Sequence, residues 1–270
     1  LLIPVFGAAV VWVRLGRRGE LLPLLAAGIP GLAAAIVVAG AFVVPWLLDG
    51  SLGGAIHFTS NHDAYHFSSG AQWLVNHSSL DPPNVTATPQ EDSSGPAYSA
   101  GLGTLTFPLR DGLELVFASV LSVTRLSAYE VWPGLAASMG GLIAASATGL
   151  AEFGRASRLL AVLGGVAVGL AAMSSFQIAN QNGASMAGSA IAITILVLWA
   201  CVISDPEREF NLPALILSGV VSAAFVAVYW EGFPAIALAL VLALLAAIPK
   251  VGVKLLLARL MTVAVVTVVV

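Results

Sequence analysis

Apolar residues in this chain fall into long unbroken runs, not into the alternation of a half-buried strand or the three-and-four spacing of a surface helix. Eight runs can be marked, at residues 1–13, 21–48, 129–150, 158–176, 186–203, 212–230, 233–249 and 252–270. A bilayer hydrocarbon core of about 30 Å needs about 20 helical residues to cross it. The pattern therefore predicts an all-α fold, a polytopic transmembrane helix bundle in a single membrane domain spanning 1–270. One long polar segment, 49–110, interrupts it, rich in Ser, Gly, Pro, Asp and Asn and holding all four histidines. The amphipathic stretch 111–127 follows, and only about 15 Å of helix separates Glu114 from Arg125, half of a bilayer core. It is expected to be interfacial or re-entrant rather than a crossing.

Composition sharpens this picture. Hydrophobic residues make up 59% and charged residues 9%, against the roughly half and quarter of a soluble domain, so lipid is the expected solvent. The net charge of −3 and the lack of a basic arm or zinc-type spacing argue against a nucleic-acid partner. The single cysteine, Cys201, excludes an intrachain disulfide and reads as a buried thiol. Lysine and arginine are retained on the cytoplasmic side of short loops. With residues 14–20 inside and one crossing per run, nine of eleven basic residues fall inside, and nine of fourteen acids fall outside. Only Arg110 and Arg125 run against the trend. The 49–110 loop is therefore expected to be extracytoplasmic, on an integral protein of a bacterial or archaeal plasma membrane, at the cell envelope.

The start at Leu1 and the end in an apolar string suggest truncation at both ends, with 1–13 part of a membrane helix rather than a signal peptide. Gly, Ala and Ser crowd 134–149 and 164–174, where small residues let helices approach closely in lipid. Pro30 and Pro45 each remove a helical hydrogen bond and are expected to kink the second run.

Chemistry concentrates in His57-Phe-Thr-Ser-Asn-His62-Asp63-Ala-Tyr65-His66. If 63–75 is helical, Asp63 and His66 share a face, where a carboxylate and an imidazole could act as base and orienting partner or share a divalent cation. The plain alternative is a solvated helix start with Asp63 favoured by the helix dipole.

This order of features resembles the GT-C superfamily of integral-membrane glycosyltransferases. The resemblance covers about residues 21–150: a span, an outer loop opening on Asn61-His-Asp-Ala-Tyr-His66, an Ala71-Gln-Trp-Leu helix, and an aromatic-proline element, Phe107-Pro108, before the outer amphipathic helix. It implies transfer of a sugar from a polyprenyl-phosphate donor to a glycan, lipid or protein acceptor at the outer face. Asp63 would be the functional acid, as base or as metal or substrate ligand. The loop lacks an obvious Asp-x-Asp or double acid in its core motif, which sets it apart from the group's metal-binding pattern. A divalent cation, Mg or Mn, would be held by Asp63 and His66; His62, His66 and Tyr65 would attend the substrate.

Other outer positions complete the candidate set. Gln177, Asn180, Gln181 and Asn182 lie in a turn between runs, where amides could meet sugar hydroxyls or simply form a polar turn. Tyr229 and Trp230 read as interfacial anchors, while Glu231 at a tight turn beside Phe233 and Pro234 is a carboxylate close to lipid. Arg110 and Arg125 have the fork to contact phosphate, or to pair with Asp111 or Glu130. The sequons at Asn76 and Asn84 are of a kind that occurs often by chance. The rival readings are a transporter or permease with 49–110 as an outer lid, and a non-catalytic scaffold. Against transport, no ionisable residue is expected in the middle of a span.

Overall fold

A computed structural model of the chain describes residues 21–48, 63–78, 112–171, 183–202 and 211–269; side chains at 21–25, 45–47, 63–66, 129, 183, 201–202 and 230 lie outside that description. Every described element is helical: α1 (Leu21–Leu48), α2 (Asp63–Leu74), α3 (Gly112–Thr124), α4 (Ala128–Phe153), α5 (Arg158–Gly169), α6 (Gly183–Val202), α7 (Leu212–Tyr229), a 3-10 turn (Trp230–Gly232), α8 (Phe233–Val251) and α9 (Val253–Val269). Four of them, within α1, α4, α7 and α8, are long and apolar enough to cross a membrane. The apolar run 1–13 lies outside the described residues.

Local chemistry sets the helix ends. Arg125, with φ of 57°, leaves the helical region and closes α3 at 13 residues, about 20 Å and short of a full crossing. Two residues later Ser127 opens α4 with a reciprocal cap. Its backbone N–H donates to Glu130 Oε2 at 2.8 Å, and the Glu130 N–H donates to its hydroxyl at 3.4 Å. Gly252, at φ 82° and ψ 143°, occupies a backbone region open essentially to glycine and splits the last apolar stretch into α8 and α9.

Packing follows small residues. A methyl group at Gly31 would lie 3.5 Å from the Ala145 carbonyl oxygen, and one at Gly141 would lie 3.0 Å from that of Ala35, so α1 and α4 run antiparallel at close range. Gly165 seats on Thr148 and Gly169 on Ala144 and Val38, which turns α5 back along both of them. Ser146 and Thr194 share a 3.1 Å hydroxyl hydrogen bond, and the N-terminal ends of α4 and α6 share one core cluster, so those two helices are parallel. α6 and α7 are antiparallel, with Gly188 under Tyr229 and Trp199 Nε1 donating to Ser222 Oγ at 3.4 Å. α9 runs parallel to α7, where Thr267 donates to the Gly219 carbonyl at 3.2 Å.

Hydroxyls inside these helices satisfy themselves by donating back one turn, as Thr148 does to Ala144 at 2.8 Å and Ser218 to Ala214 at 2.9 Å. Outward positions such as Leu32, Ile36, Leu238 and Leu242 are exposed hydrocarbon, the surface a bilayer solvates.

Two departures from the sequence-based expectation have physical causes. The run 158–176 is helix to Gly169, 12 residues or about 18 Å, with a turn at 170–171, and its part from 172 on lies outside the described residues. Its glycines give close contact at the expense of helix propensity. Arg259, expected at the cytoplasmic surface, instead lies inside α9 and is 1% exposed, on the stripe that carries Leu256 and Val263. An apolar helix therefore does enclose an ionisable group, although α9 is not one of the four helices long enough to cross.

Candidate functional site

The directions of the helices gather particular ends together. The C-terminal ends of α1 and α7, the N-terminal ends of α4, α6 and α8, and both short helices α2 and α3 share one end of the bundle. Among the described residues this end carries Asp63, Glu114, Glu130 and Glu231 with one basic residue, Arg125. The opposite end carries Arg155, Arg158, Lys250 and Lys254 with one acid, Glu152. Charge is thus segregated by sign along the bundle, the asymmetry that a positive-inside orientation requires.

α2 is seated at the acid-rich end by its small residues. Ser68, Ser69, Gly70 and Ala71 are all buried, and α3, α4 and α6 pack against the helix. Phe67 stacks on Trp132 of α4 with centroids 6.3 Å apart, and Phe117 of α3 meets the same indole at 5.7 Å. These aromatic contacts, with Leu113, Leu121 and Met186, form the apolar floor of the site. The Ser68 hydroxyl is buried there without a hydrogen-bond partner among the described residues. At the far end of α2, His77 stacks on Trp73 at 3.6 Å, and its Nδ1 meets the Trp73 carbonyl at 3.0 Å.

Asp63 is the first residue of α2, with Tyr65 and His66 in the same first turn, so the helix considered over 63–75 is present over Asp63–Leu74. Asp63, His66 and Gly70 fall at i, i+3 and i+7, on one stripe of the helix. The side chains of Asp63, Tyr65 and His66 lie outside the description, as do His62, Arg110, Gln177, Asn180, Gln181 and Asn182 as whole residues. α6 nevertheless begins at Gly183, next to Asn182, and touches α2. Glu231 is exposed in the turn after α7, and α7 packs on α3 where a methyl group at Gly112 would meet the Ala227 carbonyl oxygen at 2.9 Å. Two elements that carry candidate residues, α2 and the Glu231 turn, are therefore held at one end by α3 and α6. Arg125 is exposed at the α3–α4 joint, and among the described residues no three potential metal ligands converge.

Sequence reasoning passed over Glu114. It is 6% exposed, in the first turn of α3, and a methyl group at Gly70 would lie 3.0 Å from its Cγ. The signal was the acid's place on the same helix face as Leu113, Phe117 and Leu121, a face read as amphipathic without a partner.

A hydrocarbon-lined recess of about 370 Å³ lies elsewhere, between α6, α7, α8 and α9. It runs from Phe233 and Val268 at the acid-rich end to Leu244 and Leu260, and no titratable side chain lines it. No protein-family model matches the chain, and neither a curated protein nor a solved structure matches it.

Proposed function

We propose that this chain is the membrane domain of a GT-C-like glycosyltransferase that moves a sugar from a polyprenyl-phosphate donor to an acceptor at the extracytoplasmic face. The observation that carries the reading is the seating of α2, which opens on Asp63, at the acid-rich end of an apolar bundle. In this mechanism Asp63 takes the proton of the acceptor hydroxyl as its oxygen bonds to the anomeric carbon. The bond from that carbon to the phosphate oxygen breaks, and the electron pair leaves with the lipid phosphate. Arg110 meets the developing phosphate charge. His62 and His66 hold Asp63, while Tyr65, Gln181, Asn182 and Glu231 contact sugar hydroxyls. Asp63 and His66 would hold a divalent cation, whose chemistry there is neutralisation of phosphate charge. The recess between α8 and α9 offers apolar volume of the kind a polyprenyl chain requires.

Arg259 favours a second reading, a transporter, because an enclosed ionisable group inside an apolar helix is the usual mark of a solute or ion path. One experiment separates the two. Membranes carrying the protein are incubated with labelled polyprenyl-phosphate sugars, and label leaving the donor for an acceptor supports transfer. Donor that stays intact across the panel while a solute crosses the membrane supports transport. Neither event leaves a scaffold.

A further inference from the structure

The recess between α6, α7, α8 and α9 encloses about 370 Å³, the size of a site for a small ligand. Three of its lining side chains carry polar atoms, Trp199, Ser222 and Thr267, and each is engaged within the protein. The Trp199 indole N–H donates to Ser222 Oγ at 3.4 Å, and the Ser222 hydroxyl donates to the Ser218 carbonyl at 2.8 Å. The Thr267 hydroxyl donates to the carbonyls of Val263 at 2.8 Å and Gly219 at 3.2 Å. Water needs several polar partners to occupy such a space, so the recess suits hydrocarbon.

Its mouth and its depth select the occupant. Phe233 and Val241 of α8 and Val268 of α9 line the recess and are each at least half exposed, so it opens sideways onto the surface that a bilayer solvates. Along α8 it runs from Phe233 to Leu244, about 16 Å of helix, and along α9 from Val268 to Leu260, about 12 Å. One leaflet of a bilayer core is about 15 Å deep. The space therefore matches one acyl chain of the leaflet at the acid-rich end. A polyprenyl carrier has the same chemistry at several times this length, most of which would stay outside. Glu231 stands two residues before Phe233 at that end, so a lipid head of net negative charge is disfavoured there.

We propose that the recess binds one acyl chain of a zwitterionic bilayer phospholipid, which enters from the side past Phe233, Val241 and Val268. The chain completes the packing of α8. Only Ile236, Leu240 and Ala247 are buried along the 19 residues of that helix, and the first two of them line the recess. A bound chain gives this side of α8 the apolar contacts that protein side chains leave unmade. The inference goes beyond the transferase reading and does not depend on it.

The test uses the full chain in vesicles of dioleoyl phosphatidylcholine and in vesicles of the same lipid brominated midway along its chains, which quenches an indole on contact. The emission due to Trp199, taken as the difference from Trp199→Phe in the same background, should be strongly quenched by the brominated lipid. Ala237→Phe fills the recess from α8 and should restore that emission. Ala264→Phe fills it from α9 and serves if the first variant does not accumulate. Brominated phosphatidylglycerol, with its net negative head, should quench Trp199 less. Absence of quenching at Trp199, or quenching that survives in a filled variant, overturns the proposal. Quenching by phosphatidylglycerol as strong as by phosphatidylcholine overturns the zwitterionic head. Relief of the quenching by a small proportion of polyprenyl phosphate would replace the bilayer lipid with the carrier and overturn the proposal as well.

Discussion

Gly188 of α6 lies directly beneath the side chain of Tyr229 of α7, so closely that a methyl group at position 188 would sit 2.5 Å from Tyr229 Cβ. Gly164 of α5 has nothing within 4 Å of the same imagined methyl. Gly188→Val should therefore lower stability by about 1 to 3 kcal/mol through overpacking. Gly164→Ala should be neutral or stabilising by a few tenths to about 1 kcal/mol, since alanine is the better helix former. Unfolding of the two variants in mixed micelles checks the contrast, and equal effects would mean that the α6–α7 contact is looser than described.

Segregation of charge between the two ends predicts opposite accessibility. With Cys201 replaced by alanine, a cysteine introduced at Asn76 should react with an impermeant thiol reagent on intact cells. One introduced at Lys254 should react only after permeabilisation. Labelling of both from outside would overturn the orientation.

For Asp63 the transferase reading expects a large and specific loss. Asp63→Asn keeps the size and removes charge and basicity, so transfer should fall on the order of 10² to 10⁴-fold with membrane abundance unchanged. Glu231→Gln, at the exposed turn after α7, is the comparison and should cost less. Normal transfer by a normally accumulating Asp63→Asn protein would remove Asp63 from the site.

Ser127 caps α4 at its joint with α3. Ser127→Ala removes the hydroxyl that accepts from the Glu130 N–H, and should cost about 1 kcal/mol of stability. Ser127→Thr should retain most of it, because its hydroxyl can both accept from the Glu130 N–H and donate to Glu130 Oε2. An alanine variant as stable as the unsubstituted chain would show that the α3–α4 joint is fixed by packing alone.

The apolar runs made the long helices legible. The expected 129–150 and 212–230 correspond to Ala128–Phe153 and Leu212–Tyr229, because length and hydropathy are local properties. A helix over 63–75 was only a condition of the sequence reading, and α2 is present over Asp63–Leu74. What a run cannot carry is which face meets which neighbour. Arg259 read as a cytoplasmic base because it stands near one end of an apolar string, yet α9 turns it inward along with Leu256 and Val263. Glu114 was legible as a charge on an amphipathic helix. Its burial depends on Gly70, more than forty residues earlier in the chain, and no local pattern links the two.

The shortness of α5 bears on how the protein is made. A described helix of 12 residues, opening on Arg158 and carrying Gly164, Gly165 and Gly169, presents too little hydrocarbon to partition into a bilayer by itself. Its seat is formed by Val38, Ala144 and Thr148, which belong to α1 and α4. Both of those helices leave the ribosome before it. Insertion of α5 should then wait on the pairing of its predecessors, so a bulky residue at Gly141 or Gly31 would be felt first as a stalled, degradation-prone intermediate rather than as a weakened mature protein.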